Sequence, residues 1–120
     1  MSMEKAKNFT DLIVWQKAHK FVLDIYKITK CFPKEEMYGL TSQMKRASVS
    51  IPANIAEGFK KKGKADKLRF YNIAQGSIEE MKYFLLLSND LNYSNTENLE
   101  KDISEISKMI ESYINKINDN

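Results

Sequence analysis

The chain has 120 residues, 42% of them hydrophobic and 29% charged, and a formal net charge of +3. Those are the proportions of one ordinary soluble domain, long enough to bury a core without disulfides or a structural metal. One cysteine, Cys31, and one histidine, His19, exclude a disulfide framework within the chain and a Cys/His zinc site built by one subunit. The longest unbroken apolar run, Tyr83 to Leu87, is too short to span a bilayer, and the first twelve residues hold no apolar signal core. A cytoplasmic protein with no membrane partner is therefore the expectation.

Few glycines and prolines punctuate the sequence, so long periodic segments are predicted between them. Asn8, Thr10 and Asp11 are cap residues before an apolar-rich run that Phe32-Pro33 closes, which predicts a first helix over about 12–31. A second is predicted over about 36–59, ended by Gly58 and the Lys60-Lys61-Lys62-Gly63-Lys64 stretch. The third is predicted over about 65–91, where Asn92, Ser94 and Asn95 supply turn chemistry. The fourth is predicted over about 96–117, with Asn95 or Thr96 as N-cap and Glu97 and Glu100 suited to the positive end of the helix dipole. No strand pattern competes, and the whole chain reads as one all-α domain.

Placing residues at 100° per step separates the faces. In helix four Leu99, Ile103, Ile106, Ile110, Tyr113, Ile114 and Ile117 form one stripe, with every charge outside it. Helix one is broader: Leu12 and Leu23 widen its apolar arc to about 200°. Helix three has a core stripe of Phe70, Ile73, Ala74, Ile78, Met81, Phe84 and Leu85, yet Leu68, Tyr83, Leu86 and Leu87 point elsewhere. Such surplus apolar surface implies self-association through helices one and three, the alternative being a monomer whose loops cover it. Gly76-Ser77 falls mid-helix, where glycine costs about 1 kcal/mol relative to alanine, and a close helix crossing is the expected reason for it.

Pro52 removes the donor to the Ser48 carbonyl, so helix two is expected to kink there. A single kinked helix is favoured over a break, because Leu40, Met44, Ala47, Ile51 and Ile55 keep helical phase across the proline. Beside that stripe Gln43, Arg46, Ser50, Asn54 and Glu57 share one face within about 80°. These are directional hydrogen-bonding groups more than a solvated Lys/Glu face. Arg46 and Glu57, about 16 Å apart along the helix, are expected to find separate partners across a helix or subunit boundary. The seam reads equally as the polar edge of a bundle or as an interface or ligand site.

The pattern F-x-D-L-x-V-W-Q-K-A from Phe9 to Ala18, the block F-P-K-E-E-M-Y-G-L-T-S-Q-M-K-R-A-S-V-S-I-P-A-N-I-A-E-G from Phe32 to Gly58, and I-A-Q-G-S-I-E-E from Ile73 to Glu80 resemble the four-helix-bundle proteins encoded in 23S ribosomal RNA intervening sequences. The resemblance covers about residues 9–93. It implies an antiparallel up-down four-helix bundle assembling as a homopentamer, similar to the accessory protein of diversity-generating retroelements. That relative carries a basic surface thought to engage nucleic acid and a reverse transcriptase, and no settled activity comes with the family.

No phosphate loop, metal-ligand cluster or nucleophile arrangement is present, so neither an enzyme nor a cofactor is expected. Lone His19 reads as a packing or partly exposed residue. Cys31 has no electropositive helix N-terminus behind it to activate it. Charge is the better guide. Residues 1–64 carry 13 Lys/Arg against 6 Asp/Glu, and residues 65–120 carry 6 against 10, balances of +7 and −4. The basic half ends in Lys60, Lys61, Lys62 and Lys64, the expected contacts for an RNA or DNA backbone read without base specificity. The competing reading is a solvated lysine loop on a protein-binding scaffold with no nucleic-acid activity.

Overall fold

The computed structural model describes residues 5–119, which contain four α-helices and no strand. They are α1 (Ile13–Thr29), α2 (Leu40–Lys60), α3 (Lys64–Asp90) and α4 (Glu97–Asp119). The caps expected for α1 serve a short 3-10 turn over Phe9–Asp11 instead. There the Asn8 side chain accepts the Thr10 N–H at 3.1 Å and the Asp11 carboxylate accepts the Asn8 N–H at 3.1 Å. Leu12 follows, fully buried, so this anchored residue begins the helix without a side-chain cap. At the other end the Thr29 hydroxyl donates to the Ile25 carbonyl at 2.9 Å, and α1 stops ahead of Phe32-Pro33.

Helix α2 begins about one turn later than expected. Pro33 precedes a second 3-10 turn over Lys34–Glu36, and Gly39 takes a non-helical conformation before Leu40, whose N–H donates to the Glu36 carboxylate at 3.3 Å. From Leu40 the helix is continuous through Pro52, which is buried. Two residues later the Asn54 amide donates to the Ser50 carbonyl at 2.7 Å, adding a side-chain hydrogen bond on this stretch of backbone. Helix α3 ends near Asn92, which adopts φ 61°, a left-handed conformation that asparagine tolerates. For α4 the cap is divided: the Asn95 side chain accepts the Glu97 N–H at 3.0 Å, and the Thr96 carbonyl accepts the Glu100 N–H at 2.9 Å.

Cross-helix pairs define the topology. Ser50 meets Ser77, and Met44 meets Ser88, so α2 and α3 run antiparallel. Gln75 meets Ser107 while Lys64 reaches Asn118, which makes α3 and α4 antiparallel. Lys17 pairs with Glu105, and Lys20 feels Asp102, so α4 opposes α1. Each helix packs on its two neighbours, α4 closing back on α1, and the diagonal pairs keep their backbones farther apart. Three-residue and six-residue connections suit such an up-down bundle, because short loops leave successive helices nowhere to pack but side by side.

The core follows the periodicity with a few exceptions. Leu12 is buried, and Leu68 and Leu87 pack against the core, so much of the surplus expected to lie off-core is used inside the chain. Conversely Ile73, placed in the α3 core stripe by the angular count, is 42% exposed, while Tyr71 is buried at 1%. A straight 27-residue helix drifts in phase against its neighbours, so one angle cannot describe both ends of α3. Burial pushes the Tyr71 hydroxyl well above its ordinary range.

Gly76 corrects another expectation. A Cβ built there meets nothing within 4 Å, so no helix of the chain crosses closely at this glycine. Gly76→Ala should therefore stabilise the folded chain by about 0.5–1 kcal/mol, the helix-propensity gain, and raise the melting temperature by a few degrees. A fall in melting temperature would show that the bare backbone serves a contact with another molecule.

Candidate nucleic-acid interface

Helix α2 ends at Lys60, three residues turn the chain, and α3 begins at Lys64. The turn is tight because Lys61 is extended while its N–H still bonds the Glu57 carbonyl, and Gly63 caps α3 without a side chain. This gathers Lys60, Lys61, Lys62 and Lys64 at one end of the bundle. Lys60, Lys62 and Lys64 are exposed, and Lys61 is half-buried. The Lys61 ammonium lies 5.2 Å from the centre of the Phe70 ring, which the Arg69 guanidinium also covers at 4.4 Å. Phe70 thus positions two cations beside the exposed lysines. Lys64 bonds the Asn118 carbonyl at 3.4 Å, linking the turn to the end of α4.

The sequence reading missed Lys67. Its ammonium donates to the Gly58 and Phe59 carbonyls at 3.1 and 2.9 Å, satisfying groups that a helix end leaves open and opposing the negative end of the α2 dipole. Burial lowers its pKa from the usual lysine value. A lysine in the first turn of the helix that follows a tight connection was the available signal. Acids share this end too: Asp66 lies 3.7 Å from Arg69, both side chains well exposed, an ion pair of small energetic weight.

The sequence halves become two sides of the molecule. The basic half is α1, α2 and their connections, which are neighbours in the bundle, and the acidic half is α3 and α4.

The polar seam does not form one network. Ser50 and Asn54 are half-buried, and the Ser77 hydroxyl of α3 donates to the Ser50 hydroxyl at 2.8 Å, a bridge across the helix boundary. Asn54 adds a bond to the same Ser50 oxygen at 3.0 Å. Gln43, Arg46 and Glu57 are exposed, and neither Arg46 nor Glu57 forms an ion pair with a described residue. The expected partners on another helix of the same chain are therefore not there, because both side chains leave the outer edge of the α2–α3 contact. Gln43, Arg46, Ser50, Ser77, Glu80 and the strongly exposed Tyr38 instead line an open groove of about 420 Å³.

Among the described residues no group of three His, Cys, Asp or Glu side chains is placed to hold a metal, and no helix is long and apolar enough to cross a membrane. His19 is exposed and stacks on Trp15 with ring centres 5.1 Å apart, and Cys31 is exposed. Glu36 accepts the Tyr93 hydroxyl at 2.8 Å, and Glu79 pairs with Lys82 at 3.0 Å.

No curated protein matches the chain. Among solved structures it is similar to the crystal structure of a protein with unknown function from the S23 ribosomal protein family of Bacteroides thetaiotaomicron. The two share 29% identity over 86% of this chain and 96% of that one, with a TM-score of 0.79. The family described as 23S rRNA-intervening sequence protein matches residues 10–112, which take in α1, α2, α3 and most of α4, and the chain belongs to that family.

Proposed function

We propose that this is a non-catalytic, self-associating helical bundle that binds RNA or DNA backbones with low sequence specificity through its basic end. The observation that carries the reading is the convergence of Lys60, Lys61, Lys62 and Lys64 on one tight turn. Of these, Lys60, Lys61 and Lys62 form no ion pair with a described residue. The N–H groups that open α3 at Lys64, Ala65 and Asp66 precede the first helical bond, from Lys67 to the Gly63 carbonyl, and add partial positive charge at the same place. A flexible lysine patch attracts phosphate as point charge and carries little information about bases. The deciding experiment is an electrophoretic shift with structured RNA across a salt series, in which affinity should fall steeply as salt rises. Absence of a shift at low salt leaves the scaffold reading, which the exposed apolar side chains favour.

Self-association is assigned chiefly to the outward face of α3. Ile73, Tyr83 and Leu86 stay exposed there around Gly76, whereas on α1 only Leu23 and Tyr26 remain of the surplus near its middle. Light scattering should give a mass several times 14.0 kDa, the pentamer being the number implied by resemblance. A monomer at micromolar concentration would remove self-association from the proposal.

A further inference from the structure

The basic end continues into a face of different chemistry between α1 and α2. Trp15, His19 and Tyr26 lie within about 40° of one another on α1. The Lys45 ammonium, 4.8 Å from the Tyr26 ring centre, shows that this stripe borders α2. Phe9 meets Trp15 edge-on at 5.1 Å, and His19 stacks on Trp15 with the planes 8° apart. The Phe9–Asp11 turn that carries the first of these rings packs on both α1 and α2. Along α2 the facing stripe is Lys45, Val49, Ala56 and Lys60, within about 60°.

No Asp or Glu falls on either stripe. Asp24, the only acid of α1, turns toward α4 and pairs with Lys20 at 3.0 Å. Asp11 is occupied in accepting the backbone N–H groups of Lys7 and Asn8. The strip therefore offers flat ring surface and lysines, with no acid among its described residues but Asp11, whose hydrogen-bonded carboxylate lies in the Phe9–Asp11 turn at its edge. His19, Tyr26 and Lys60 are exposed, while Trp15 is half-buried and held by its neighbours.

We infer that this strip takes single-stranded nucleic acid, with unpaired bases stacking on the Trp15–His19 ring pair and the backbone running toward Lys60. The inference rests on the nucleic-acid reading above and narrows its ligand from any phosphate backbone to an unpaired strand. A duplex offers phosphates to the lysines but keeps its bases inside its own stack, whereas every unpaired base has a face for an aromatic ring whatever its identity.

Trp15 is the only tryptophan, so its emission reports this strip alone. The test titrates the full chain with a labelled oligouridylate and with a blunt RNA duplex of the same length, following anisotropy and Trp15 emission together. The oligouridylate should bind more tightly than the duplex and change Trp15 emission at the same midpoint. His19→Ala, at an exposed position that spares the core, should weaken oligouridylate binding by about tenfold. Salt-sensitive binding of both RNAs with unchanged Trp15 emission, or full affinity in His19→Ala, would overturn the single-strand inference and leave the lysine reading standing. Failure of the parent to bind either RNA overturns both. A change in Trp15 emission with protein concentration and no RNA would show that a second copy covers the strip, which also overturns the inference.

Discussion

Gly58→Ala is expected to destabilise the bundle by about 2 kcal/mol, lowering the melting temperature by roughly 5–10 °C. A Cβ at this position would stand 2.6 Å from Cε1 of Tyr71 and 3.0 Å from Cδ1, closer than real contacts allow. The Tyr71 ring is 1% exposed and packed in the core, so relief of the clash displaces a core side chain or moves α2 away from α3 near the turn. Alanine's better helix propensity returns up to about 1 kcal/mol, which is smaller than the overpacking cost of about 1–3 kcal/mol plus the disturbance of a core tyrosine. Thermal melts of the single variants and of Gly58→Ala in a Tyr71→Leu background check the mechanism. If the clash is the cause, the glycine substitution should cost little once the ring is gone. Equal losses in both backgrounds would place the cause elsewhere.

Replacing Lys60, Lys61, Lys62 and Lys64 together by Gln should abolish most RNA binding while the fold persists. Four neutralised phosphates give a slope of log affinity against log salt of about −3.6, a loss of roughly a hundredfold between 50 and 200 mM salt in the parent. The variant should bind weakly at low salt, with a slope close to flat. Three of the four side chains are exposed, and the Lys61 contact with Phe70 contributes at most about 1 kcal/mol, so the melting temperature should change little. A variant that binds like the parent would move the interface to another surface. Loss of binding together with loss of helicity would require the four single substitutions to separate charge from folding.

The two glycines show where reading a sequence ends. Gly58, which reads in the sequence as an ending signal, and Gly76, which reads as mid-helix, both lie inside helices; the same substitution is expected to destabilise at one and stabilise at the other. The difference is the Tyr71 ring on one glycine and open space at the other, a fact about which helices lie side by side. Tyr71 itself was outside the core stripe by angular count, because the phase of a long helix drifts against its neighbours.

What the sequence by itself determined was the number and order of the helices, the continuity of α2 through Pro52 and the core stripe of α4. Each depends on residues a few positions apart, where helical geometry sets direction. It also located the lysine cluster, because a tight turn keeps neighbours in sequence neighbours in space. Tertiary structure decided the rest. Arg46 and Glu57 belong to one seam in sequence, yet the seam bonds to α3 at Ser50, with Asn54 joined to Ser50 along α2, since the contact between two helices is narrower than a helix face. Lys67 closes the end of α2 because the turn brings it back over the open carbonyls. The division into a basic and an acidic side needed the packing order, because the two sequence halves occupy separate faces only when α1 lies beside α2 and α3 beside α4.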